Sequence, residues 1–247
     1  MNNTPESLFP SLGIRRYAEI DSTNTEGKRL IRAGAALPLL LVADHQTAGR
    51  GRLGRNFYSP KNTGLYFTLV VSPHGGPADA VPLTQAAAVA ALRAIRRLTG
   101  ADVTVKWVND LYLGPKKIAG ILTEAAAAPD GSLAVLIGIG INLTTEDFPE
   151  DIAERAGALR TDIPKETLLT EIVKELLPFA QNPGDRSWLE DYRSCSNVVG
   201  KRVNVLRGET SRVAEALEIG DDGALLVRFE DGSEEALTSG EISIRFA

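Results

Sequence analysis

The run Leu39-Leu40-Leu41-Val42-Ala43, the heptad Gly49-Arg50-Gly51-Arg52-Leu53-Gly54-Arg55 and the run Leu65-Tyr66-Phe67-Thr68-Leu69-Val70-Val71 follow one another between positions 39 and 71. The two apolar runs are short, aliphatic and unbroken, as strands covered on both faces are. The heptad is therefore an insertion between two buried strands, and loops held by rigid strands are where binding and chemistry concentrate. Its glycines leave the backbone free to close around a ligand. Its arginines supply permanent charge and forked donors that suit phosphate and carboxylate oxygens. Such a loop should be mobile when empty and ordered when an anion arrives. The blander readings are a flexible basic surface loop, or an RGG-like segment that holds nucleic acid by its phosphates; the flanking strands argue against both.

Upstream, Ile14 to Ile20 reads as a short strand leading into Asp21-Ser22-Thr23-Asn24-Thr25-Glu26, where Thr23 and Glu26 have the spacing of a capping box and Gly34 ends the helix. Capping alone accounts for Ser22, Thr23 and Asn24, yet a helix N-terminus at the end of a strand also offers amides and hydroxyls to a ligand. Downstream, Val81 to Thr99 predicts a packed helix stopped by Gly100, and Val103 to Lys106 a strand. Leu111 to Leu113, the turn Gly114-Pro115 and Ile118 to Thr123 predict a hairpin. Leu133 to Leu143 is apolar on both alternations, and its Gly138 and Gly140 imply a close backbone approach. Glu150 to Gly157, Glu166 to Ala180 and Arg186 to Ser194 read as amphipathic helices without a motif, covering the sheet. From Lys201 the rhythm changes to short strands broken by Gly208, Asp221-Asp222-Gly223 and Asp231-Gly232, the spacing of a small barrel. The expectation is an α+β fold: a mixed-sheet domain flanked by helices over residues 1–196, then a small C-terminal β-barrel over 197–247.

A chain of 247 residues with 43% hydrophobic residues can bury a substantial core. The net charge of -5 speaks against a protein devoted to nucleic acid, which usually carries a basic face. The single cysteine, Cys195, forms no intrachain disulfide and reads as a buried small hydrophobe. Two distant histidines make no zinc constellation. The N-terminus lacks a secretory layout and no apolar run approaches the ~20 residues that span a bilayer, so a cytoplasmic protein is expected.

Two further segments carry chemistry. Lys106-Trp107-Val108-Asn109-Asp110, with Lys116-Lys117-Ile118-Ala119-Gly120 beyond it, sets two lysines and an aspartate around a turn between apolar strands. The arrangement suits a pocket mouth or, more plainly, a solvated hairpin with a surface ion pair. In Gly138-Ile139-Gly140-Ile141-Asn142 a polar residue ends a buried strand, where it could also satisfy its own backbone.

Taken in order, Ser22-Thr23-Asn24, Gln46 before the basic heptad, Lys106 to Asp110, Lys116 to Gly120, Gly138 to Asn142 and the C-terminal Gly240-Glu241-Ile242-Ser243-Ile244-Arg245 resemble the biotin protein ligases. The resemblance implies a class II synthetase-like, or biotin-lipoyl ligase, fold with an SH3-like C-terminal barrel. It also implies a two-step reaction. Biotin and ATP with Mg2+ give biotinoyl-5'-AMP and pyrophosphate, and a lysine of a biotin carboxyl carrier protein, an acetyl-CoA carboxylase subunit or related domain, then takes the biotin. Two anions must be brought together, so positive charge is needed to bind them and to stabilise charge developing on phosphorus.

By the same resemblance Ser22, Thr23, Asn24, Gln46, Gly49, Arg50, Arg52, Lys117 and Gly120 would bind biotin. Arg50, Arg52, Arg55, Phe57, Lys106, Trp107, Asn109, Asn142 and Arg245 would bind ATP. Arg52, Lys117 and Asp110 would act in catalysis, with the metal carried by ATP near Asp110. Two departures stand out: Val108 where the family usually has proline, and Phe57 where many members have tryptophan; neither removes a functional group. Bifunctional members begin with a DNA-binding helix-turn-helix domain, whereas the ligase pattern begins here near Ile14, so a monofunctional ligase without repressor role or DNA partner is expected. Dimerisation through the sheet is common in the family, which makes a homodimer part of the expectation. The rival readings are a lipoate or octanoate ligase, a nucleic-acid-binding regulator, and a binding module without catalysis.

Overall fold

The structure, a computed structural model, describes residues 4–72, 80–238 and 242–246, with the backbone only at 80, 81 and 242–246. In chain order the larger unit holds α1 (Pro5–Leu8), β1 (Gly13–Tyr17), α2 (Thr23–Arg32), β2 (Leu39–Ala43), β3 (Gly64–Val71), α3 (Ala80–Thr99), β4 (Val103–Lys106), β5 (Asp110–Leu113), β6 (Lys116–Ala127), β7 (Leu133–Asn142), α4 (Glu150–Ala153), α5 (Lys165–Gln181) and α6 (Leu189–Ser194). Its seven strands run in the order β1-β2-β3-β7-β6-β5-β4, with β1 parallel to β2 and the other pairs antiparallel. This is the mixed sheet expected.

The continuous apolar runs arise because both faces are covered. On β2, Leu40 and Val42 join the core beneath α3 and α5, while Leu39 and Leu41 join a smaller cluster with Ile31 of α2. Each such side chain, fully removed from water, contributes about 1.5–3 kcal/mol. Gly27 lets α2 lie close to the sheet, since a Cβ there would come 2.6 Å from Leu136 Cδ2.

Three local expectations are corrected. The N-cap of α2 is Ser22, without a side-chain cap bond, so Thr23 and Glu26 form no capping box; Thr23 is bonded to Gln46 and Thr68 instead, and Glu26 to Tyr17 and Arg29. The helix expected at Glu150 to Gly157 is the single turn α4, because the chain then leaves it to pair with β6: Lys117 N donates to Arg155 O and Gly157 N to Lys117 O, both at 2.8 Å. The helix expected from Arg186 starts at Leu189, after a turn in which Ser187 N and Trp188 Nε1 bond to Asp185.

The smaller unit holds β8 (Arg202–Arg207), β9 (Thr210–Ile219), β10 (Leu225–Phe229), β11 (Glu234–Leu237) and β12 (Ile242–Phe246), antiparallel in the order β11-β10-β9-β8-β12. The sheet fits an SH3-like domain, but among the described residues its end strands do not pair, so the expected barrel is not closed. Opposite Leu226/Val227 the register shifts by one, leaving Leu217 of β9 as the extra residue of a β-bulge. The turn between these two strands docks on the larger unit: Gly223 O accepts from Gln85 Nε2 at 2.7 Å and from Trp107 Nε1 at 3.1 Å. Arg193 adds bonds to Ile219 O and Asp221.

Candidate active site

The basic heptad folds as a small hairpin standing on the sheet. Arg50 bridges Asn56, Gly51 N donates to Arg55 O at 2.7 Å, and Phe57 N donates to Gly49 O at 2.9 Å. Leu53 and Gly54 turn the tip with φ of 57° and 71°, the left-handed region. Gly49 closes the base; a Cβ there would overlap Phe57 O and come 2.6 Å from Ser59 Oγ. Gln46 ties that base to α2. Its Oε1 accepts from Thr23 N (2.9 Å) and Thr23 Oγ1 (3.1 Å), while its Nε2 donates to Ser59 Oγ (2.9 Å).

The floor follows from the alternation of β7. Ala134 and Leu136 pack beneath α2, and the next residues on that face are Gly138, Gly140 and Asn142. A Cβ at Gly138 would overlap Asn24 Oδ1, and one at Gly140 would lie 2.5 Å from the Phe57 ring. The two glycines thus make room for a buried amide and an aromatic ring. Asn24 accepts from Thr68 Oγ1 at 2.6 Å and donates to Leu122 O and to Glu124 Oε2. Asn142 donates to Gly157 O, and its buried Oδ1 has no hydrogen-bond partner. An unpaired buried acceptor is costly unless a ligand supplies a donor.

Between floor and hairpin is a cavity of about 760 Å³. Six basic side chains, Arg50, Arg52, Arg55, Lys106, Lys117 and Arg155, line it against two carboxylates, Asp110 and Asp151. Lys117 Nζ lies 2.7 Å from Asp110 Oδ1 as an ion pair, and the buried Oδ1 has no hydrogen-bond partner beside it. Arg52 Nη1 donates to Asn109 Oδ1 at 3.2 Å, and Asn109 Nδ2 to Ile121 O at 2.9 Å. Burial pulls the Arg52 guanidinium down from its usual value while Asp110 opposes the fall; an arginine remains a cation there. Arg50 Nη2 rests on Glu124 at 3.2 Å. Burial likewise pushes the Tyr112 hydroxyl beside Asp110 up to about 12.

The structure brings Ser22, Thr23, Asn24, Gln46, Arg50, Arg52, Arg55, Phe57, Lys106, Trp107, Asn109, Asp110, Lys117, Gly120 and Asn142 to this one cavity. Gly49 lies behind it, at the hairpin base. Phe57, expected on the nucleotide side, packs against Gly140 and Gly120. Arg245 is on β12 opposite Asn204, with its side chain outside the described part, as are Gly240 and Glu241. Sequence reasoning missed Ser59, Glu124 and the wall made by Phe148, Asp151, Ile152 and Arg155. Glu124 sits four residues past Gly120 on the same strand face, and that spacing was the available signal; the wall had none, since α4 was read as a covering helix.

Among the described residues no three His, Cys, Asp or Glu side chains converge as a metal cage, and no helix is long and apolar enough to cross a membrane. The sequence profile of the Biotin/lipoate A/B protein ligase family matches residues 17–142. The chain belongs to that family. The Biotin protein ligase C terminal domain matches residues 198–245 of this ligase-family chain. The "Bifunctional ligase/repressor BirA" of Escherichia coli (strain K12) is 30% identical to it over 83% of the chain, which spans 66% of that relative's length. The "Biotin--[acetyl-CoA-carboxylase] ligase" of Mycobacterium tuberculosis (strain ATCC 25618 / H37Rv) is 32% identical over 84% of the chain and 80% of the relative. Among solved structures, the biotin protein ligase from Aquifex aeolicus in complex with biotin and ATP superposes with a TM-score of 0.77 at 29% identity, over 95% of this chain and 99% of that one.

Proposed function

We propose that this chain is an ATP-dependent biotin protein ligase. The observation that carries the reading is the convergence of Arg52, Lys117 and Asp110 on one cavity walled by the basic hairpin. In the first step a carboxylate oxygen of biotin attacks the α-phosphorus of ATP, the bond to the β-phosphate oxygen breaks, and pyrophosphate leaves. In the second, the neutral amine of a carrier lysine attacks the carbonyl carbon of biotinoyl-5'-AMP and AMP leaves.

Lys117 would bridge the carboxylate and phosphate oxygens, with Asp110 holding its ammonium in place. Arg52, set by Asn109, would lie on the phosphates and stabilise charge on phosphorus. Ser22, Thr23, Gln46, Gly120 and Arg50 would surround the acid, and Asn142 Oδ1 would accept from the nucleotide. Trp107, Lys106, Arg55 and Arg245 complete the proposed ATP set. Magnesium would arrive with ATP, and one or two carboxylates such as Asp110 and Asp151 suit a cation held mainly by phosphates.

Residues 1–196 are taken as the catalytic unit and 197–247 as the C-terminal domain, a division that the separate matches at 17–142 and 198–245 support. The partner in this reading is the carrier subunit of acetyl-CoA carboxylase or a related carrier domain, in the cytoplasm. A homodimer along the sheet edge belongs to the same proposal.

The test is pyrophosphate release with ATP and magnesium, comparing biotin, lipoate and octanoate, then addition of a carrier domain. Release with biotin and label on the carrier lysine support the ligase; preference for lipoate or octanoate would move the chain to a sister activity, which the C-terminal match disfavours. Lys117→Ala should abolish adenylate formation and leave the fold intact, because the side chain is one third exposed. Wild-type pyrophosphate release by that variant would remove Lys117 from the mechanism.

A further inference from the structure

Beside a cavity built for anions stands a third carboxylate, Glu124 of β6, with its side chain only 18% exposed. Its Oε1 accepts from Lys28 Nζ at 2.7 Å and from Arg50 Nη2 at 3.2 Å, and its Oε2 accepts from Asn24 Nδ2 at 3.0 Å. We infer that Glu124 is a positioning residue of the ligase proposed above: it fixes the Arg50 guanidinium at the cavity so that the remaining donors of Arg50 meet the carboxylate of the acid substrate.

Three observations carry this. A lone carboxylate here would repel an anionic substrate, but the two cations that it touches offset its charge, so what it contributes is geometry. Asn24 and Lys28 lie four residues apart on one face of α2 and grip Glu124 by both oxygens. A carboxylate held in that way is a fixed anchor, and it does not swing away to let a competing anion in. Arg50, by contrast, stands between Gly49 and Gly51, its side chain is 44% exposed, and Glu124 supplies the ion pair that orients it. A guanidinium has five N–H donors in a rigid fork, so the bond from Nη2 to Glu124 leaves the others free to address an oxygen in the cavity. The same contacts govern the protonation of Glu124. Burial would raise its pKa, but Lys28, Asn24 and Arg50 outweigh it and keep the group ionised well below neutral pH.

The experiment is a double-mutant cycle on the full chain with Arg50→Gln, Glu124→Gln and the double variant, plus Lys28→Met as a control. KM and kcat are measured by pyrophosphate release with whichever acid the wild type activates, and thermal unfolding is followed for each variant. Glu124→Gln should raise KM for the acid about tenfold, as expected for a charge-assisted hydrogen bond, and leave kcat within about twofold. Lys28→Met, which spares the Arg50 contact and leaves Asn24 holding the other oxygen, removes one of the two grips and should raise KM by less than Glu124→Gln does. Added to Arg50→Gln, the Glu124 substitution should do nothing more to KM, because it acts through Arg50. A full further loss in the double variant, an equal loss in Lys28→Met, or a KM that falls in Glu124→Gln would each overturn the inference. The wild-type choice of acid tests the proposed function by itself, so the two readings fail separately.

Discussion

Glycine at 140 is dictated by a neighbour's ring. Because a Cβ there would lie 2.5 Å from Phe57, Gly140→Ala should push the ring off the floor and raise KM for the acid by about tenfold or more, while costing about 1–3 kcal/mol for overpacking a closed site; an unchanged KM would show that Phe57 does not border the acid. The sequence showed that residues 138 and 140 need close approach, but it could not show what approaches, since Asn24 and Phe57 come from distant segments. Glu124 makes a second prediction at this scale. A carboxylate whose pKa is depressed on folding contributes stability that is fully present above its unfolded pKa of about 4.3 and is lost as pH falls through the folded value. Urea midpoints should therefore separate wild type from Glu124→Gln at pH about 7, wild type higher, and the gap should narrow as pH drops below about 4.

At the scale of elements the basic hairpin has the most to teach. Sequence reading identified it as an insertion between β2 and β3, and both strands are present where the apolar runs placed them. Its internal ladder was not legible, because three glycines and three arginines carry no strand or helix period. Gly49, expected to touch biotin, closes the ladder where Phe57 O and Ser59 Oγ press on it. Gly49→Ala should therefore open the hairpin base, make Arg50 to Arg55 more sensitive to limited proteolysis, and lower kcat/KM at least about tenfold with little change in melting temperature. The opposite pattern, a large fall in stability with normal kcat/KM, would mean that the hairpin supports the fold more than the site. The shortened α4 was misread for a related reason: its amphipathic pattern continues past Ala153, but backbone pairing with Lys117 takes the chain away from the helix.

For the whole molecule, the class of the fold was legible from alternating apolar runs and helices, whereas the strand order was not. Pairing of β3 with β7 depends on contacts far apart in sequence that no local pattern announces. The joint between the two units was equally hidden, since it rests on the carbonyls of Gly223 and Ile219 and on Asp221, met by side chains from distant segments. Gly223 has φ of 81° and a Cβ there would overlap Gln85 Oε1. Gly223→Ala should cost about 2 kcal/mol or more and lower the melting temperature by about 4–8 °C, and on the proposed role of Trp107 in nucleotide binding KM for ATP should rise more than KM for the acid; a variant as stable as wild type would argue that the turn is free to repack. The chain has two tryptophans, and the joint divides them. The indole of Trp188 donates to Asp185 O within its own turn, whereas that of Trp107 donates across the joint to Gly223 O. Deuterium uptake at these two ring nitrogens is thus a built-in pair of gauges: an excursion that lifts the smaller sheet away while the larger stays folded exchanges Trp107 ahead of Trp188, and global unfolding exchanges them together.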